Sequence, residues 1–192
     1  MNERWSQRLV RILTGLLILL GILLCGKGGW IHAKALLAQL LLRQAWEQTL
    51  RRGEPVNPWP WADTWPVARL RVQKYNQDIM VLAGQSGEAL AFGPGILEAG
   101  AEPGQAGTCI LAAHRDTHFS FLHKVRAGDI FTLEDRHGKS WQYRVSSTAV
   151  RRAEDLYLEQ QTTAQLALIT CYPFQAVHPG TQQRYLVMAD RM

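Results

Sequence analysis

Residues 166–173 read Leu-Ala-Leu-Ile-Thr-Cys-Tyr-Pro, an apolar run that ends on a threonine, a cysteine and a proline. A short continuous apolar run of this kind is typical of a buried strand. Pro173 cannot donate a hydrogen bond to a neighbouring strand, so it predicts that the strand ends there. Cys171 is therefore expected at the rim of a rigid element, where a substrate can reach its sulfur. Because free cysteines are more often buried, this segment alone leaves a structural cysteine as the alternative.

The other two cysteines, Cys25 and Cys109, form no recognisable pattern with Cys171. Three cysteines cannot all pair, and none of them has C-x-x-C spacing, so neither a disulfide framework nor a zinc ribbon is predicted. At least one thiol is free, and a free thiol at a strand end is a candidate nucleophile. Cys109 has the opposite strand parity to His114, which predicts that Cys109 faces the core.

Positive charge is concentrated at the N-terminus of this 192-residue chain. The net charge is +5, but the first 52 residues carry eight Lys/Arg and two Glu. The rest of the chain carries 13 basic and 14 acidic groups, so it lacks the basic surface of a nucleic-acid-binding domain. The length suits one domain with an appendage, and the basic segment favours a membrane as its partner.

Residues 1–30 have the pattern of a membrane anchor. The run 12–26 carries no charge, but as a helix it rises only about 22 Å against a hydrocarbon core of roughly 30 Å. The predicted span is therefore extended to 9–30, with Arg11 and Lys27 reaching the interfaces. Basic residues ahead of it predict a cytoplasmic N-terminus. The chain is thus expected to be a single-pass protein of the inner (cytoplasmic) membrane, with its main domain on the far, periplasmic or extracytoplasmic, side; a cleaved signal peptide and a buried soluble helix are the alternatives.

Two segments connect the anchor to the main domain. Residues 31–52 are predicted to form an amphipathic helix, with an apolar stripe that includes Leu36, Leu40 and Ala45. Residues 53–66 contain four prolines and three tryptophans, which predicts a semi-rigid connector. We expect all three tryptophans to pack on the domain; a carbohydrate-binding platform is the alternative.

From residue 67 onward the hydrophobic period is two. Strands are predicted at 67–72, 79–82, 108–113, 130–133, 141–145, 166–170 and 184–188. The sequence Asp135-Arg-His-Gly138 predicts a hairpin turn between the fourth and fifth of these. Helical patterns are scarce in this region, so residues 67–192 are predicted to form a mainly β domain, either a closed barrel or a sandwich.

His114 and Arg184 complement Cys171 chemically. His114 ends the strand 108–113, and Arg184 opens the last strand 13 residues beyond Cys171. A thiolate can attack a peptide carbonyl, an imidazolium can protonate the leaving amine, and a guanidinium can stabilise the developing oxyanion. Each residue taken alone is more often an ordinary surface residue. Together they predict acyl transfer at one edge of the domain.

Three segments resemble, in order, the signature motifs of sortases, a family of membrane-anchored cysteine transpeptidases. They are Ala112-Ala-His114-Arg-Asp-Thr-His118, Leu168-Ile-Thr-Cys171 and Arg184-Tyr-Leu-Val. Two positions depart from the family pattern, since Ala167 stands where Thr is usual and Ala113 where Gly is usual. The resemblance covers residues 67–192, and the anchor with its Trp-Pro-Trp connector is similar to the small sortases of Gram-negative bacteria.

The resemblance implies an eight-stranded closed β-barrel with a catalytic cysteine. Cys171 would attack the Thr–Gly bond of an LPxTG-like C-terminal sorting signal to form a thioacyl-enzyme, which an amine of unknown identity resolves. His114 would be the general acid and base, and Arg184 would stabilise the oxyanion. Ala112 and Thr170 are expected to contact the substrate. No cofactor and no metal are expected.

The same resemblance predicts that residues 150–165 form a loop over the substrate, with contacts from within 155–158. Two alternatives to a transpeptidase remain. In the first, His114 and His118, spaced i and i+4, bind a metal ion together with Cys171 and His178. In the second, the chain is a non-catalytic, membrane-tethered β-barrel that binds protein partners.

Overall fold

The structure is a computed structural model that describes residues 3–84, 86–156, 162–176 and 180–192. Its helices and strands are α1 (Glu3–Arg52), β1 (Pro66–Val72), β2 (Gln77–Ala83), α2 (Gly87–Phe92), β3 (Gly95–Ile96), β4 (Gly107–Ala112), β5 (Ile130–Asp135), β6 (Ser140–Arg152), β7 (Ala164–Tyr172) and β8 (Gln183–Arg191). Short 3-10 helices lie at Gln73–Tyr75, Ser120–Lys124 and Ala153–Asp155.

The strands form a closed barrel in the order β1-β2-β3-β4-β7-β8-β6-β5. Two of the neighbouring pairs, β2–β3 and β4–β7, are parallel, and the pairs β7–β8 and β6–β8 are antiparallel. Closure gives every strand two partners, so the sheet has no open edge. The predicted mainly β, eight-stranded closed barrel is confirmed.

Alternation of side chains along the strands fills the barrel interior. In β1, Ala68, Leu70 and Val72 are fully buried, while Arg69 faces outward and pairs with Asp78 at 2.6 Å. The interior is completed by large side chains from other strands and from the segment after β4, including Phe119, Phe131, Leu133, Tyr143, Leu166 and Leu168. This period of two is the signal on which the sequence prediction of strands rested.

The hairpin between β5 and β6 confirms the predicted turn. The Asp135 Oδ1 atom accepts hydrogen bonds from the backbone N–H groups of His137 and Lys139, both at 2.9 Å. Gly138 has φ +77°, a left-handed conformation that glycine adopts without the steric cost of a Cβ.

Three elements differ from the sequence predictions because their signals are short or mixed. β3 has only two residues and α2 only six, too few for a period to be read. β6 was predicted over 141–145 but continues to Arg152, because its exposed Ser and Thr residues interrupt the apolar alternation while its backbone still pairs with β8. Residues 150–152, expected in the loop over the substrate, are therefore strand.

The chain forms two compact units, Met1–Leu40 and Leu41–Met192. In the second unit, the C-terminal part of α1 is anchored to the barrel by Leu42 and Trp46, which are buried against Met80 and Leu82 of β2. This part of the predicted amphipathic helix is therefore a packing element of the barrel unit. The helix ends at Arg52, immediately before Gly53 with φ +74°.

In the unit Met1–Leu40, taken by itself, α1 exposes its apolar residues. The large side chains from Ile12 to Leu24 are 52–64 % exposed, and Leu36 and Leu40, predicted to form the apolar stripe, are exposed as well. Within the part of the chain that the structure describes, no helix combines the length and apolarity needed to cross a membrane. The predicted transmembrane segment is thus not supported. The charge-free run 12–26 is followed by Lys27, which limits its helical rise to about 22 Å.

The connector packs on the barrel unit only in part. Trp59 contacts Phe92 edge-to-face at 5.1 Å between ring centroids, and Trp65 is half-buried. Trp61 is 81 % exposed, so the prediction that all three tryptophans pack on the domain is wrong for this residue. Pro66, the last predicted connector residue, already belongs to β1.

Candidate active site

Cys171 and Arg184 lie directly opposite each other on paired strands. β7 runs up to Tyr172, and Pro173 follows it, so Cys171 is the second-last residue of the strand, as the sequence predicts. In the antiparallel β7–β8 pair, Cys171 is the register partner of Arg184. Opposed residues on antiparallel strands project from the same face of the sheet. The guanidinium and the thiol therefore share one face at one end of the barrel.

His114 reaches the same end from the other side of β7. The parallel β4–β7 register pairs Ala112 with Ile169, and the Ala113 N–H donates to the Ile169 carbonyl at 3.2 Å. The Thr170 hydroxyl donates to the Ala113 carbonyl at 2.7 Å, which extends the contact past the end of β4. Continued by two residues past the Ala112–Ile169 pair, this register aligns His114 with Cys171. The His114 side chain is exposed.

Strand parity shows which face these residues occupy. Leu166 and Leu168 of β7 point into the barrel core, whereas Ala167 and Ile169 belong to a separate cluster on the outer face. Cys171 has the parity of the second pair. By the same alternation, His114 follows Ile110 and Ala112 of β4, and Arg184 precedes Leu186 of β8. Cys171 and Arg184 thus lie on the outer face of β7 and β8, and His114 lies just past the end of β4, the strand next to β7.

An apolar strip covers this outer face next to Cys171. We call it the outer apolar strip; it consists of Ile110, Ala167, Ile169 and Leu186, with Leu97, Leu156 and Met188 packed against it. Leu97 comes from the β3–β4 connection, and Leu156 from the β6–β7 connection. The strip therefore runs along the strands toward the thiol and has apolar side chains on both flanks.

The Arg184 guanidinium is held by backbone carbonyls. One of its terminal nitrogens donates to the Thr181 carbonyl at 2.6 Å and to the Gln183 carbonyl at 3.0 Å. Among the described residues, no Asp or Glu lies within ion-pair distance of Arg184. Within the part of the chain that the structure describes, its charge is therefore not neutralised by a carboxylate.

Cys109 occupies the interior, as its parity predicts. It is 1 % exposed, and burial, with a smaller contribution from the Glu102 charge, raises the pKa of its thiol to about 12. A thiol that ionises only at such a pH is inert as a nucleophile at neutral pH. Cys171, by contrast, is half-buried, and Cys25 is exposed.

The two predicted substrate contacts lie on opposite faces of the sheet. Ala112 is half-buried and has the outer-face parity of Ile110. Thr170 is 2 % exposed, and its hydroxyl donates to the Ala113 carbonyl, so it joins β7 to the end of β4 and is not on the outer face. Asp155 and Leu156 are described at the start of the β6–β7 connection, whereas residues 157 and 158 lie outside the described residues.

The metal-binding alternative finds no assembled ligand set. Among the described residues, no three His, Cys, Asp or Glu side chains lie close enough together to hold a metal ion; His178 lies outside these residues. The pKa of His118 is lowered, first by burial and also by the nearby His114, while a hydrogen bond with the Ala91 backbone opposes that shift. His118 is therefore a partly buried neighbour of His114.

Arg115 was not identified from the sequence as part of the site. It follows His114 directly, is 6 % exposed, and donates to the Ala176 carbonyl at 2.8 Å. With Phe174 and His123 it lines a cavity of about 490 Å³ beside the end of β7. The sequence shows that Arg115 stands next to a candidate catalytic residue. It does not show that the side chain is buried, and the burial is what indicates a role.

A larger cavity lies away from these residues. It has a volume of about 640 Å³ and is lined by the β3–β4 connection and the β5–β6 hairpin, including Trp141. None of His114, Cys171 and Arg184 borders it. The chemical groups, and not cavity size, therefore identify the candidate active site.

Comparison with known proteins places this geometry in a family. A family model described as the Sortase domain matches residues 70–192. Sortase A from Corynebacterium diphtheriae is 26 % identical with a TM-score of 0.62, over 71 % of this chain and 64 % of that chain. Streptococcus agalactiae sortase C1, solved in complex with MTSET, is 30 % identical with a TM-score of 0.58, over 66 % and 67 %.

A third structure supports the fold alone. The sortase D5 transpeptidase of Clostridium perfringens has a TM-score of 0.66 over 81 % of this chain and 98 % of that chain, at 19 % identity. No curated protein matches the chain significantly. This chain spans less than two thirds of the Corynebacterium diphtheriae chain. Because the family model covers well over half of the sequence and coincides with the barrel, the chain belongs to the sortase family.

Proposed function

We propose that this protein is a cysteine transpeptidase that cleaves an LPxTG-like sorting signal and transfers the acyl part to an amine. The observation that carries the proposal is the register of β4, β7 and β8. Cys171 and Arg184 are direct partners, and His114 follows the strand on the other side of Cys171. The three side chains then have distinct roles in one reaction.

In the first step, the Cys171 thiolate attacks the carbonyl carbon of the Thr–Gly bond. The carbonyl oxygen becomes an oxyanion, to which the Arg184 guanidinium donates a hydrogen bond. Such a donor typically lowers the activation barrier by about 3 kcal/mol. When the intermediate collapses, the C–N bond breaks and His114 gives a proton to the leaving amine. The products are a thioester on Cys171 and a released C-terminal peptide.

In the second step, an acceptor amine attacks the thioester carbonyl. His114, now neutral, removes a proton from the amine, and Arg184 again donates to the oxyanion. The C–S bond then breaks, a new amide bond forms and Cys171 leaves as the thiolate. Each proton accepted in one step is returned in the other, so the enzyme ends the cycle unchanged.

The outer apolar strip supports an extended, partly apolar peptide as the substrate. Its Ile169 precedes Cys171 by two residues on the same face of β7, and Leu156 flanks the strip. A leucine side chain ahead of the scissile bond would pack on the half-buried members of the strip, Leu97, Leu156 and Met188, and bury their remaining apolar surface at roughly 25 cal/mol per Å². Ala112, small and on the same face, leaves room for the peptide backbone.

Trapping the acyl-enzyme tests the proposal. The purified protein is incubated with a peptide carrying an LPxTG sequence, and intact-mass spectrometry followed by peptide mapping locates any adduct. We expect an adduct with the mass of the N-terminal acyl part on Cys171, lost on addition of hydroxylamine. Cys109→Ala should still form it, and Cys171→Ala should not. An adduct on Cys109, or the same adduct in Cys171→Ala, would contradict the assignment.

We further propose that the chain works at the inner membrane of a Gram-negative cell, with the barrel on the periplasmic side. The support is the exposed, charge-free apolar run Ile12–Leu24 of α1, preceded by Arg8 and Arg11. Fractionation of cells expressing the full chain, followed by protease treatment of spheroplasts, tests this location. Barrel fragments that are protected in spheroplasts, or full-length protein in the soluble fraction, would contradict it.

A further inference from the structure

Arg115 is a charged residue buried beside the candidate catalytic histidine. Its side chain is 6 % exposed, and a guanidinium remains protonated under all ordinary conditions. Burying such a charge is costly unless hydrogen bonds and ion pairs replace its water. The position must therefore be fixed by the groups around it, and these groups indicate what the residue does.

The contacts of Arg115 hold both described arms of the β7–β8 connection. One terminal nitrogen donates to the Ala176 carbonyl at 2.8 Å, and the other contacts the Thr181 hydroxyl at 3.5 Å. The Asp116 carboxylate lies 3.4 Å from its Nε atom. Ala176 follows Cys171 by five residues and Thr181 precedes Arg184 by three. The rigid guanidinium of Arg115 thus connects the segment after β4 to both described sides of the loop between Cys171 and Arg184.

Thr181 is shared by the two arginines. Its hydroxyl contacts Arg115, while its backbone carbonyl accepts the 2.6 Å hydrogen bond from Arg184. A displacement of Thr181 therefore moves the acceptor that orients the Arg184 guanidinium. Because an oxyanion donor must lie within a few tenths of an ångström of its optimum, such a displacement reduces the rate of acyl transfer.

We propose that Arg115 is a positioning residue for Arg184 and acts through Thr181. The inference rests on the proposed transpeptidase function and adds to it the residue that orients Arg184, the oxyanion donor of that reaction. Arg115 directly follows His114, and its planar guanidinium contacts Ala176 and Thr181 of the β7–β8 connection. The general acid and the oxyanion donor are therefore held at fixed positions relative to each other beside Cys171. Lysine keeps the charge but lacks the planar guanidinium and cannot hold both acceptors.

The prediction is a loss of kcat with little change in KM. Arg115→Lys should lower the single-turnover acylation rate about tenfold and leave KM within about twofold, because the substrate strip is untouched. Thr181→Val removes only the hydroxyl and keeps the carbonyl used by Arg184, so a smaller loss of about threefold is expected. Arg191→Gln is the matched control, since Arg191 also donates to a backbone carbonyl, that of Gly104, at 2.9 Å. It should retain wild-type rates.

A double-mutant cycle separates positioning from general stabilisation. If Arg115 acts through Arg184, then Arg115→Lys should lower the acylation rate by less than about twofold in a protein in which Arg184 is already replaced by Ala. If the loss of acylation rate in the double variant equals the product of the losses in the two single variants, the two residues act independently and the inference is overturned. Thermal unfolding is measured for every variant. If Arg115→Lys fails to fold, Thr181→Val in the same cycle decides the question, because it leaves the buried charge in place.

The outcomes also separate this inference from the proposed function. If Arg184→Ala acylates as fast as the wild type, the assigned role of Arg184 fails and this inference fails with it. If Arg184→Ala is impaired while Arg115→Lys and Thr181→Val both retain wild-type acylation rates, only the positioning role of Arg115 is refuted.

Discussion

The inner and outer faces of strands β4, β7 and β8 each carry a cysteine, and the two thiols have opposite properties. On the inner face, Cys109 is the register partner of Leu166 and lies in the core, where burial raises its pKa to about 12. On the outer face, Cys171 is half-buried and lies opposite Arg184. The same side chain is structural in one place and a candidate nucleophile in the other. Strand parity, together with position along the strand, decides which.

The two faces also differ in what their apolar residues do. Inside, Leu166 and Leu168 are completely buried and hold the barrel together. Outside, Ile169 and Leu186 form a strip beside the site and are each 8 % exposed. Substitutions on the inner face should therefore change stability alone, and those on the outer face, which borders the site, should change substrate handling as well as stability. The predictions that follow test this division, beginning with the largest effect.

Replacing each thiol with alanine should give the largest contrast. Cys171→Ala is expected to lower peptide cleavage by on the order of 10⁴-fold or more, because the nucleophile is lost, while its melting temperature changes little. Cys109→Ala should retain activity within a few fold but melt at a lower temperature, because it leaves a small cavity in the core. Cleavage assays and thermal unfolding of both variants measure this; comparable activity in the two would remove the distinction between the faces.

Thiol labelling should discriminate between the faces without any mutation. At pH 8, a thiol with a pKa of about 12 is ionised in roughly one molecule in 10⁴, so Cys109 is expected to react with iodoacetamide at least about 100-fold more slowly than Cys171. The exposed Cys25 serves as an internal control for the reagent. Peptide mapping over time gives the rates. Equal labelling of Cys109 and Cys171 in the folded protein would contradict the assignment.

A pair of neighbouring apolar residues sharpens the contrast in energetic terms. Leu168→Ala should lower the free energy of unfolding by about 3 kcal/mol, since it removes a fully buried side chain from the interior. Ile169→Ala should lower the free energy of unfolding by about 2 kcal/mol, because this side chain is also buried, and should in addition raise KM several-fold, because Ile169 precedes Cys171 by two residues on the same face. Urea denaturation and peptide kinetics measure the two quantities. An Ile169→Ala variant with unchanged KM would argue against the strip as a substrate surface.

The smallest expected effect concerns Thr170. Thr170→Val removes the buried hydroxyl that donates to the Ala113 carbonyl, and we expect a loss of about 1–2 kcal/mol, equivalent to a few degrees in melting temperature. KM should remain within twofold, because the side chain is on the inner face. A large rise in KM with unchanged stability would restore the original expectation that Thr170 contacts substrate.

Much of the fold was predictable because its signals are local. Alternating and continuous apolar runs located seven strands, and the Asp135–Gly138 turn identified a hairpin whose hydrogen bonds are now visible. The parity argument placed Cys109 in the core correctly. These predictions succeeded because an alternating pattern directly reports which side chains face the interior.

The remaining features depend on contacts between distant segments. The burial of Arg115 is set by Ala176 and Thr181, about 60 residues further along the chain, and no local pattern reports it. The exposure of Trp61 could not be distinguished from the packing of Trp59 by composition alone. Thr170 sits within an apolar run, so its hydrogen bond across to β4 was equally hidden.

The parallel pairing of β4 with β7 has a consequence for when activity can arise. His114 and Cys171 are 57 residues apart in sequence, and β5 and β6 lie between them in the chain although β4 and β7 are neighbours in the barrel. Contacts of such high sequence separation form slowly and together with the global fold. A chain in which these distant strands have not yet paired therefore carries a thiol but no working chemistry, and turnover itself reports that β4, β7 and β8 have come together.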